Sequence, residues 1–245
     1  FVHRRRGRER RARQTRRLGQ GGASPRHHSV AMHEVSVGPF GQPCLVWEPP
    51  LVEGPLPAIL FLHGRGESGT DLESLANHGL LRAARERPEQ WPFLIVAPQK
   101  LDPNQLWPAY RNLVNEALSE AEWRFNVHPT KRYLTGLSQG GNGTFELARH
   151  LSWRFAAIAP VCGWCDPIRA KFELRETPVW AFHGLDDTVI LPSASRVAVE
   201  FIRQGGGDAR LTEYPGVGHA SWEPAYADPE LPQWFLSHPA PDKSV

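Results

Sequence analysis

A serine framed by glycines is the feature of this 245-residue sequence that points most directly to chemistry. The segment Gly136-Leu137-Ser138-Gln139-Gly140 has the form G-x-S-x-G, with a strand-like stretch before it and a helix-like stretch after it. In that context a sharp turn exposes the serine hydroxyl, and the N-terminal amides of the helix lie beside it. A serine in an ordinary tight turn is the alternative interpretation. The flanking elements favour Ser138 as a nucleophile.

Two downstream loops contain the groups that a nucleophilic serine needs. A serine hydroxyl is a weak nucleophile at neutral pH, so it requires a base, and the base requires an orienting carboxylate. His183-Gly184-Leu185-Asp186-Asp187 follows one predicted strand, and Gly216-Val217-Gly218-His219-Ala220 follows the last one. The chain order serine, aspartate, histidine is typical of nucleophile-elbow hydrolases. We therefore predict a triad of Ser138, His219 and one of the two adjacent aspartates.

Alternating strands and helices must position these side chains. Short apolar runs such as Ala58-Ile59-Leu60-Phe61-Leu62 are typical of buried strands, and apolar residues at every fourth position indicate helices. Strands are predicted at residues 35–37, 58–62, 93–97, 132–135, 155–159, 178–182 and 209–214, and helices at 71–87, 113–125, 140–151, 192–204 and 224–237. This alternation predicts an α/β fold: a mostly parallel central sheet flanked by helices, with little or no cap domain. The candidate side chains then gather at the C-terminal edge of the sheet.

Acyl transfer also requires hydrogen-bond donors for the oxyanion that develops. One expected donor is the backbone N–H of Gln139, directly after the serine. Another comes from the loop His63-Gly64-Arg65-Gly66-Glu67-Ser68-Gly69, whose glycines let the backbone approach a substrate. We expect this loop and the serine turn to form the oxyanion hole.

Five blocks of the sequence resemble the carboxylesterase/phospholipase family of α/β-hydrolases, which includes the acyl-protein thioesterases. They also resemble the related branch of predicted peptidases and feruloyl-esterase-like proteins. The blocks are Leu62-His63-Gly64-Arg65-Gly66-Glu67, Ala97-Pro98-Gln99, Gly136-Leu137-Ser138-Gln139-Gly140-Gly141, His183-Gly184-Leu185-Asp186-Asp187 and Gly218-His219-Ala220-Ser221-Trp222.

The resemblance implies an α/β-hydrolase fold and a role for each site residue. These are Ser138 as nucleophile, His219 as base, Asp187 as orienting carboxylate, and the backbone N–H groups of Arg65 and Gln139 as oxyanion donors. Asp187 is preferred to its neighbour because the family pattern is H-G-x-x-D. Thioesterase-like members usually have a small apolar residue where Arg65 stands, so the thioesterase substrate is not carried over.

Tryptophans and cysteines near these segments suggest further roles. Trp107, Trp164 and Trp222 are expected to be walls of a substrate pocket. Cys162-Gly163-Trp164-Cys165 has the redox form C-x-x-C, but it lacks the position of a thioredoxin motif. A zinc site needs about four ligands, and the chain has three cysteines in all. We therefore expect two reduced thiols, with a local disulfide as the alternative, and no metal or other cofactor.

Charge divides the chain into two parts. Residues 1–31 carry ten arginines and one acidic residue, whereas residues 32–245 have a net charge of −7. The first part has little apolar content, so we expect a disordered Arg-rich extension. Because Met32 is the sole methionine and strand-like sequence follows it, the favoured interpretation is that residues 1–31 are not native coding sequence. A tail that binds nucleic acid and a targeting or unexplained extension are the alternatives. Residues 32–245 are predicted to be a single domain, for which no nucleic-acid partner is expected.

The composition excludes several classes of protein. No stretch approaches the ~18 consecutive apolar residues of a membrane span, and the Arg-rich segment lacks the apolar region of a secretory signal. A cytoplasmic location follows as an expectation. The predicted function is a serine carboxylesterase that hydrolyses small carboxylic esters through an acyl-enzyme. An acyl thioesterase, a lysophospholipase or a serine peptidase of the same fold is the alternative, and a non-catalytic binding protein is the alternative from another class.

Overall fold

The computed structural model describes residues 31–38, 41–50 and 53–240, so residues 1–30 of the predicted extension lie outside the described residues. The described chain forms an eight-stranded sheet. The strands are β1 (Ala31–Val37), β2 (Gln42–Glu48), β3 (Leu56–Leu62), β4 (Leu94–Pro98), β5 (Val127–Leu137), β6 (Ala157–Val161), β7 (Val179–Gly184) and β8 (Ala209–Tyr214). Their spatial order is β1-β2-β4-β3-β5-β6-β7-β8.

Most of the sheet is parallel, as the sequence predicted. Strands β4, β3, β5, β6, β7 and β8 pair in parallel, whereas β2 pairs antiparallel with both β1 and β4. Every residue of β3, β4, β6 and β7 is buried, because helices cover both faces of the sheet. The parallel strands end at one edge, which is where ligands bind in open sheets of this kind.

Eight α-helices connect or follow the strands in the described ranges. They are α1 (Leu72–Ala76), α2 (Gly79–Glu86), α3 (Arg111–Arg124), α4 (Gln139–Leu147), α5 (Pro167–Glu173), α6 (Ser193–Gln204), α7 (Trp222–Ala227) and α8 (Glu230–Leu236). None of these described helices has the length and apolar character that crossing a bilayer requires.

Two long predicted helices are each broken into two, and the cause is local. The helix predicted over residues 71–87 begins as expected, with Asp71 accepting a hydrogen bond from the backbone N–H of Glu73. It ends at Ala76, and α2 begins anew at Gly79, because the φ of +52° at Gly79 cannot occur in the interior of a continuous α-helix. The helix predicted over 224–237 breaks at Asp228, because the residue before Pro229 is restricted to extended conformations.

Other elements were missed or shifted. Helix α5 was not predicted, although Asp166 caps it by accepting from the backbone N–H groups of Ile168 and Arg169, and Pro167 starts it. Aspartate followed by proline is a recognised start signal that could have identified it. Strand β2 was also not predicted, and β6 begins at Ala157, two residues later than expected.

Candidate active site

Ser138 occupies the sharp turn between β5 and α4. Its φ is +54° and its ψ is −114°, a conformation that side chains rarely adopt. The backbone N–H of Ser138 donates to the carbonyl oxygen of Val161 at 2.9 Å. Gly136 and Gly140 make the turn feasible, because a Cβ at Gly136 would lie 2.6 Å from the carbonyl oxygen of Leu62 and one at Gly140 would clash with the same atom.

The structure brings the three predicted triad residues into one hydrogen-bonded chain. The Ser138 hydroxyl lies 2.9 Å from Nε2 of His219, and Nδ1 of His219 lies 2.7 Å from Oδ2 of Asp187. These residues follow β5, β8 and β7, which all end at the same edge of the sheet. The arrangement can pass a proton from serine to histidine and stabilise the resulting imidazolium.

Asp187 rather than Asp186 reaches His219. The Oδ1 atom of Asp187 accepts hydrogen bonds from the backbone N–H groups of Val189 and Ile190 at 2.9 and 3.0 Å. Burial opposes ionisation of Asp187, but the hydrogen bonds from His219 and from these N–H groups outweigh it and lower the pKa of the carboxyl group. Asp186 is exposed. Asp187 is therefore a buried carboxylate that stays charged beside the histidine.

The predicted oxyanion donors lie around one cavity of about 460 Å³ that opens onto Ser138 and His219. Arg65 and Gln139 both line it. Gln139 is the first residue of α4, so its backbone N–H lacks an intrahelical partner. The Arg65 side chain donates to Oδ1 of Asn104 at 2.9 Å, and that of Gln139 donates to the carbonyl oxygen of Pro103 at 3.0 Å. Both side chains are thus hydrogen-bonded to the segment that contains Pro103 and Asn104.

Two of the three predicted pocket tryptophans line this cavity. Trp164 and Trp222 do so, and the indole of Trp222 packs edge-on against the imidazole of His219 with ring centroids 5.5 Å apart. The prediction for Trp107 is wrong, because this side chain is fully buried in the core. Its indole N–H donates to the carbonyl oxygen of His63 at 2.9 Å, so Trp107 holds the first residue of the oxyanion loop from the side of the core.

Glu67 is a site residue to which sequence reasoning gave no role. Its carboxylate accepts a hydrogen bond from the backbone N–H of Gly64 at 2.8 Å, within the oxyanion loop. Gln99 donates to the carbonyl oxygen of Glu67, also at 2.8 Å. Because the backbone N–H of Gly64 donates to Glu67, it is not free to bind an oxyanion, and the N–H of Arg65 stays the predicted donor of this loop. Both residues belong to blocks that carried the family resemblance, which was the available signal.

We expect Glu67→Ala to lower kcat about 10-fold to 100-fold with little change in KM, because a displaced oxyanion donor weakens transition-state binding. Glu67→Gln, which keeps an acceptor for Gly64, should retain most of the activity. Steady-state kinetics on a chromogenic ester measures both, with exposed Glu89→Ala as the matched control. An unchanged kcat in a folded Glu67→Ala protein would show that Glu67 does not position the loop.

A buried histidine and a buried lysine fix the other side of the oxyanion loop. Nδ1 of His63 lies 2.6 Å from the carbonyl oxygen of Gly64, and Nε2 accepts from the backbone N–H of Lys100 at 3.1 Å. Burial lowers the pKa of His63 to about 3, so its imidazole is neutral near pH 7. The Lys100 ammonium donates to Oγ of Ser68 at 2.8 Å and to the carbonyl oxygen of Asp102 at 2.9 Å. Burial likewise lowers the pKa of Lys100 to about 8.

His63 gives the protein a specific sensitivity to acid. Its ordinary pKa of 6.5 applies to the unfolded chain, so between pH 6.5 and about 3 the unfolded chain binds one more proton than the folded one. The free energy of unfolding therefore falls as the pH decreases through this window, by about 1.4 kcal/mol per pH unit from this group. Urea unfolding at pH 7 and pH 5 should show a smaller loss for His63→Gln than for the wild type. Equal losses would contradict the assignment.

The cysteines of the C-x-x-C segment are free thiols rather than a disulfide. Burial raises the pKa of both Cys162 and Cys165 to about 12, so neither forms a thiolate readily near neutral pH. A thiol of that kind is a poor redox nucleophile. The expectation of two reduced thiols agrees with the structure.

Comparison with known proteins identifies a family model, curated proteins and a solved structure to which this chain is similar. Residues 99–228 match the family model described as Phospholipase/Carboxylesterase. The probable carboxylesterase SOBER1-like of Arabidopsis thaliana is 27% identical over 192 residues, which cover 66% of this chain and 72% of that protein. Carboxylesterase SOBER1 of Arabidopsis thaliana is 26% identical over 193 residues, covering 66% and 82%. The crystal structure of a thermostable esterase has a TM-score of 0.71 at 29% identity, covering 86% of this chain and 63% of that one.

A serine–histidine–aspartate chain at the C-terminal edge of this sheet defines a class, the α/β-hydrolases with a serine nucleophile. Within that class, the chain belongs to the phospholipase/carboxylesterase family. The sequence-based predictions of the fold and the family are thus confirmed, and so, at the level of the family, is that of an ester-hydrolysing serine enzyme.

Proposed function

We propose that this protein hydrolyses small carboxylic esters through an acyl-enzyme on Ser138. The observation that carries the proposal is the unbroken hydrogen-bonded chain from Ser138 through His219 to Asp187. A non-catalytic binding protein would have no need of the backbone conformation at Ser138 or of a buried carboxylate behind the histidine.

The residues act in two half-reactions. Ser138 Oγ attacks the ester carbonyl while His219 Nε2 takes its proton, and Asp187 stabilises the imidazolium. The backbone N–H groups of Arg65 and Gln139 receive the oxyanion. The imidazolium then protonates the departing alcohol, leaving the acyl group on Ser138. A water molecule, deprotonated by the same histidine, attacks the acyl-enzyme and releases the carboxylic acid.

The cavity supports a small, largely apolar substrate. A volume of about 460 Å³ lies at the lower end of the range for small-molecule sites. Leu137, Trp164, Val189, Ile190 and Trp222 provide apolar walls. We therefore favour short or compact acyl groups over long ones, and esters over peptides.

A substrate panel tests this proposal. The full-length protein is assayed on nitrophenyl esters of short and long acyl chains, an acyl-coenzyme A thioester, a lysophospholipid and peptide anilides. The expected result is the highest kcat/KM on short-chain esters. Preference for the thioester, the lysophospholipid or the peptide would replace our assignment by that alternative. Failure to turn over any substrate, together with no labelling by a fluorophosphonate, would support the binding protein.

A further inference from the structure

A thiol that the ester mechanism does not use lies beside the triad. Cys162 follows β6, is fully buried, and has φ +40°. Its sulfur, one carboxylate oxygen of Asp187 and one ring nitrogen of His219 all lie within 4.8 Å of one another. No other group of three such side chains close enough to hold a metal ion occurs in the described ranges. Two triad residues and this thiol therefore form a donor set of one sulfur, one nitrogen and one oxygen atom.

A fourth polar group completes this cluster. The Ser221 side chain is fully buried, and its hydroxyl has no hydrogen-bond partner of normal geometry within residues 31–38, 41–50 and 53–240. It lies near the Cys162 sulfur, where it opposes the effect of burial on the pKa of the thiol. A buried hydroxyl with no better partner than a thiol is uncommon, so the Ser221 hydroxyl is available to a ligand.

The donor set is one that zinc prefers, and modest movements would form the site. Thiolate, imidazole and carboxylate ligands bind Zn²⁺ at roughly 2.0–2.3 Å with tetrahedral geometry, so ligand atoms lie about 3.3–3.6 Å apart. The sulfur must approach the other two ligand atoms by up to about 1.2–1.5 Å, and the 2.7 Å contact between His219 and Asp187 must open by about 0.6 Å. His219 follows Gly216, at φ +72°, and Gly218, and glycine is the residue whose backbone adopts the widest range of conformations.

We propose that Zn²⁺ and similar soft divalent cations bind Cys162 Sγ, His219 Nδ1 and the Asp187 carboxylate, and that this binding inhibits the enzyme. Water or the Ser221 hydroxyl takes the fourth position. On binding, the thiol proton leaves to solvent, and the imidazole proton is relocated from Nδ1 to Nε2 because the metal takes the Nδ1 lone pair. An Nε2 that carries a proton no longer accepts one from Ser138. Inhibition therefore follows from locking the wrong histidine tautomer, a consequence that rests on the proposed function.

Metal inhibition is measured on the full-length protein with an ester substrate, ZnCl₂ and CdCl₂. The wild type should lose activity and regain it with EDTA. For Cys162→Ala, with inhibition normalised to the variant's own rate, at least about tenfold more metal should be required, because even the loss of a group that only supports a ligand weakens metal binding about 10- to 100-fold. Cys165→Ala and Cys44→Ala are the matched controls and should be inhibited like the wild type. Equal inhibition of wild type and Cys162→Ala would overturn the proposal.

A binding measurement separates this inference from the proposed function. Ser138→Ala protein, which needs no activity for the readout, should bind one equivalent of Cd²⁺ with an ultraviolet cadmium–thiolate absorption band. Adding Cys162→Ser, which retains the size of the side chain, should remove the band. If the band appears but the wild type has no esterase activity, the metal site is upheld and the proposed function is rejected. No band in Ser138→Ala protein would reject the metal site, whether or not a cysteine variant folds.

Discussion

Ser138→Ala is expected to lower ester turnover by about four orders of magnitude or more, because the proposed acyl-enzyme forms on the Ser138 hydroxyl. Some activity above the uncatalysed rate should survive, since the Arg65 and Gln139 amides and the apolar cavity are untouched. The fold should be preserved. Alanine tolerates φ +54° about as poorly as serine does, and the substitution removes only the hydrogen bond to His219.

Two measurements check this prediction. A fluorophosphonate should label the wild type on Ser138, as located by peptide mass spectrometry, and should leave Ser138→Ala unlabelled. The unfolding free energy of the variant should remain within about 1 kcal/mol of the wild type, which excludes loss of structure as the cause. A folded variant with normal turnover would show that the nucleophile lies elsewhere.

Asp187→Asn is expected to lower turnover by about 10⁴-fold, because the amide no longer fixes the productive imidazole tautomer. The asparagine Oδ1 can still accept from the backbone N–H groups of Val189 and Ile190, so the loop should keep its conformation. Its amide N–H₂ would face Nδ1 of His219. Nδ1 then accepts a hydrogen bond, Nε2 carries the proton, and the histidine cannot act as base toward Ser138.

Asp186→Asn is the matched control, with the same chemical change one residue earlier on an exposed side chain. It should cost about tenfold or less, which is small beside the loss expected from the triad change. The two rates must be compared at one pH near neutrality, since an alkaline medium could restore part of the Asp187→Asn activity. A crippled Asp186→Asn with a near-normal Asp187→Asn would reverse the assignment. If both variants hydrolyse the ester at near-normal rates, neither aspartate acts as the orienting carboxylate.

The sequence pattern was sufficient to predict the parallel strands and the helices between them, but it did not predict where two of the helices are interrupted. Strand β8 and helix α6 lie where apolar spacing and flanking glycines place them. The break at Gly79 was not predicted, because it depends on contact: a Cβ there would lie 2.7 Å from the Leu137 side chain. Such a constraint comes from packing between distant segments, which no local pattern contains.

The triad was predictable for a different reason. A strained turn, a strand end and a glycine-flanked histidine each have a local signature, and the parallel sheet brings their positions together. Glu67 and Lys100 have no such local signature, because their roles depend on hydrogen bonds made in the folded protein. Glu67 accepts from the backbone N–H of Gly64, and the Lys100 ammonium donates to the Ser68 hydroxyl and to the carbonyl oxygen of Asp102. Trp107 was predicted to line the pocket on residue type alone, but its side chain is fully buried in the core.

Ser138 and Cys162 are the only non-glycine residues with positive φ in the part of the chain that the structure describes, and they lie at the ends of neighbouring strands. Each such conformation costs on the order of 1–3 kcal/mol, which glycine would largely recover. Substitutions to glycine at these two positions, both at or beside the catalytic centre, would therefore raise the free energy of unfolding. A library of variants selected for thermal stability alone should be enriched in glycine at position 138. The selected proteins would be more stable than the wild type but would lack the nucleophile.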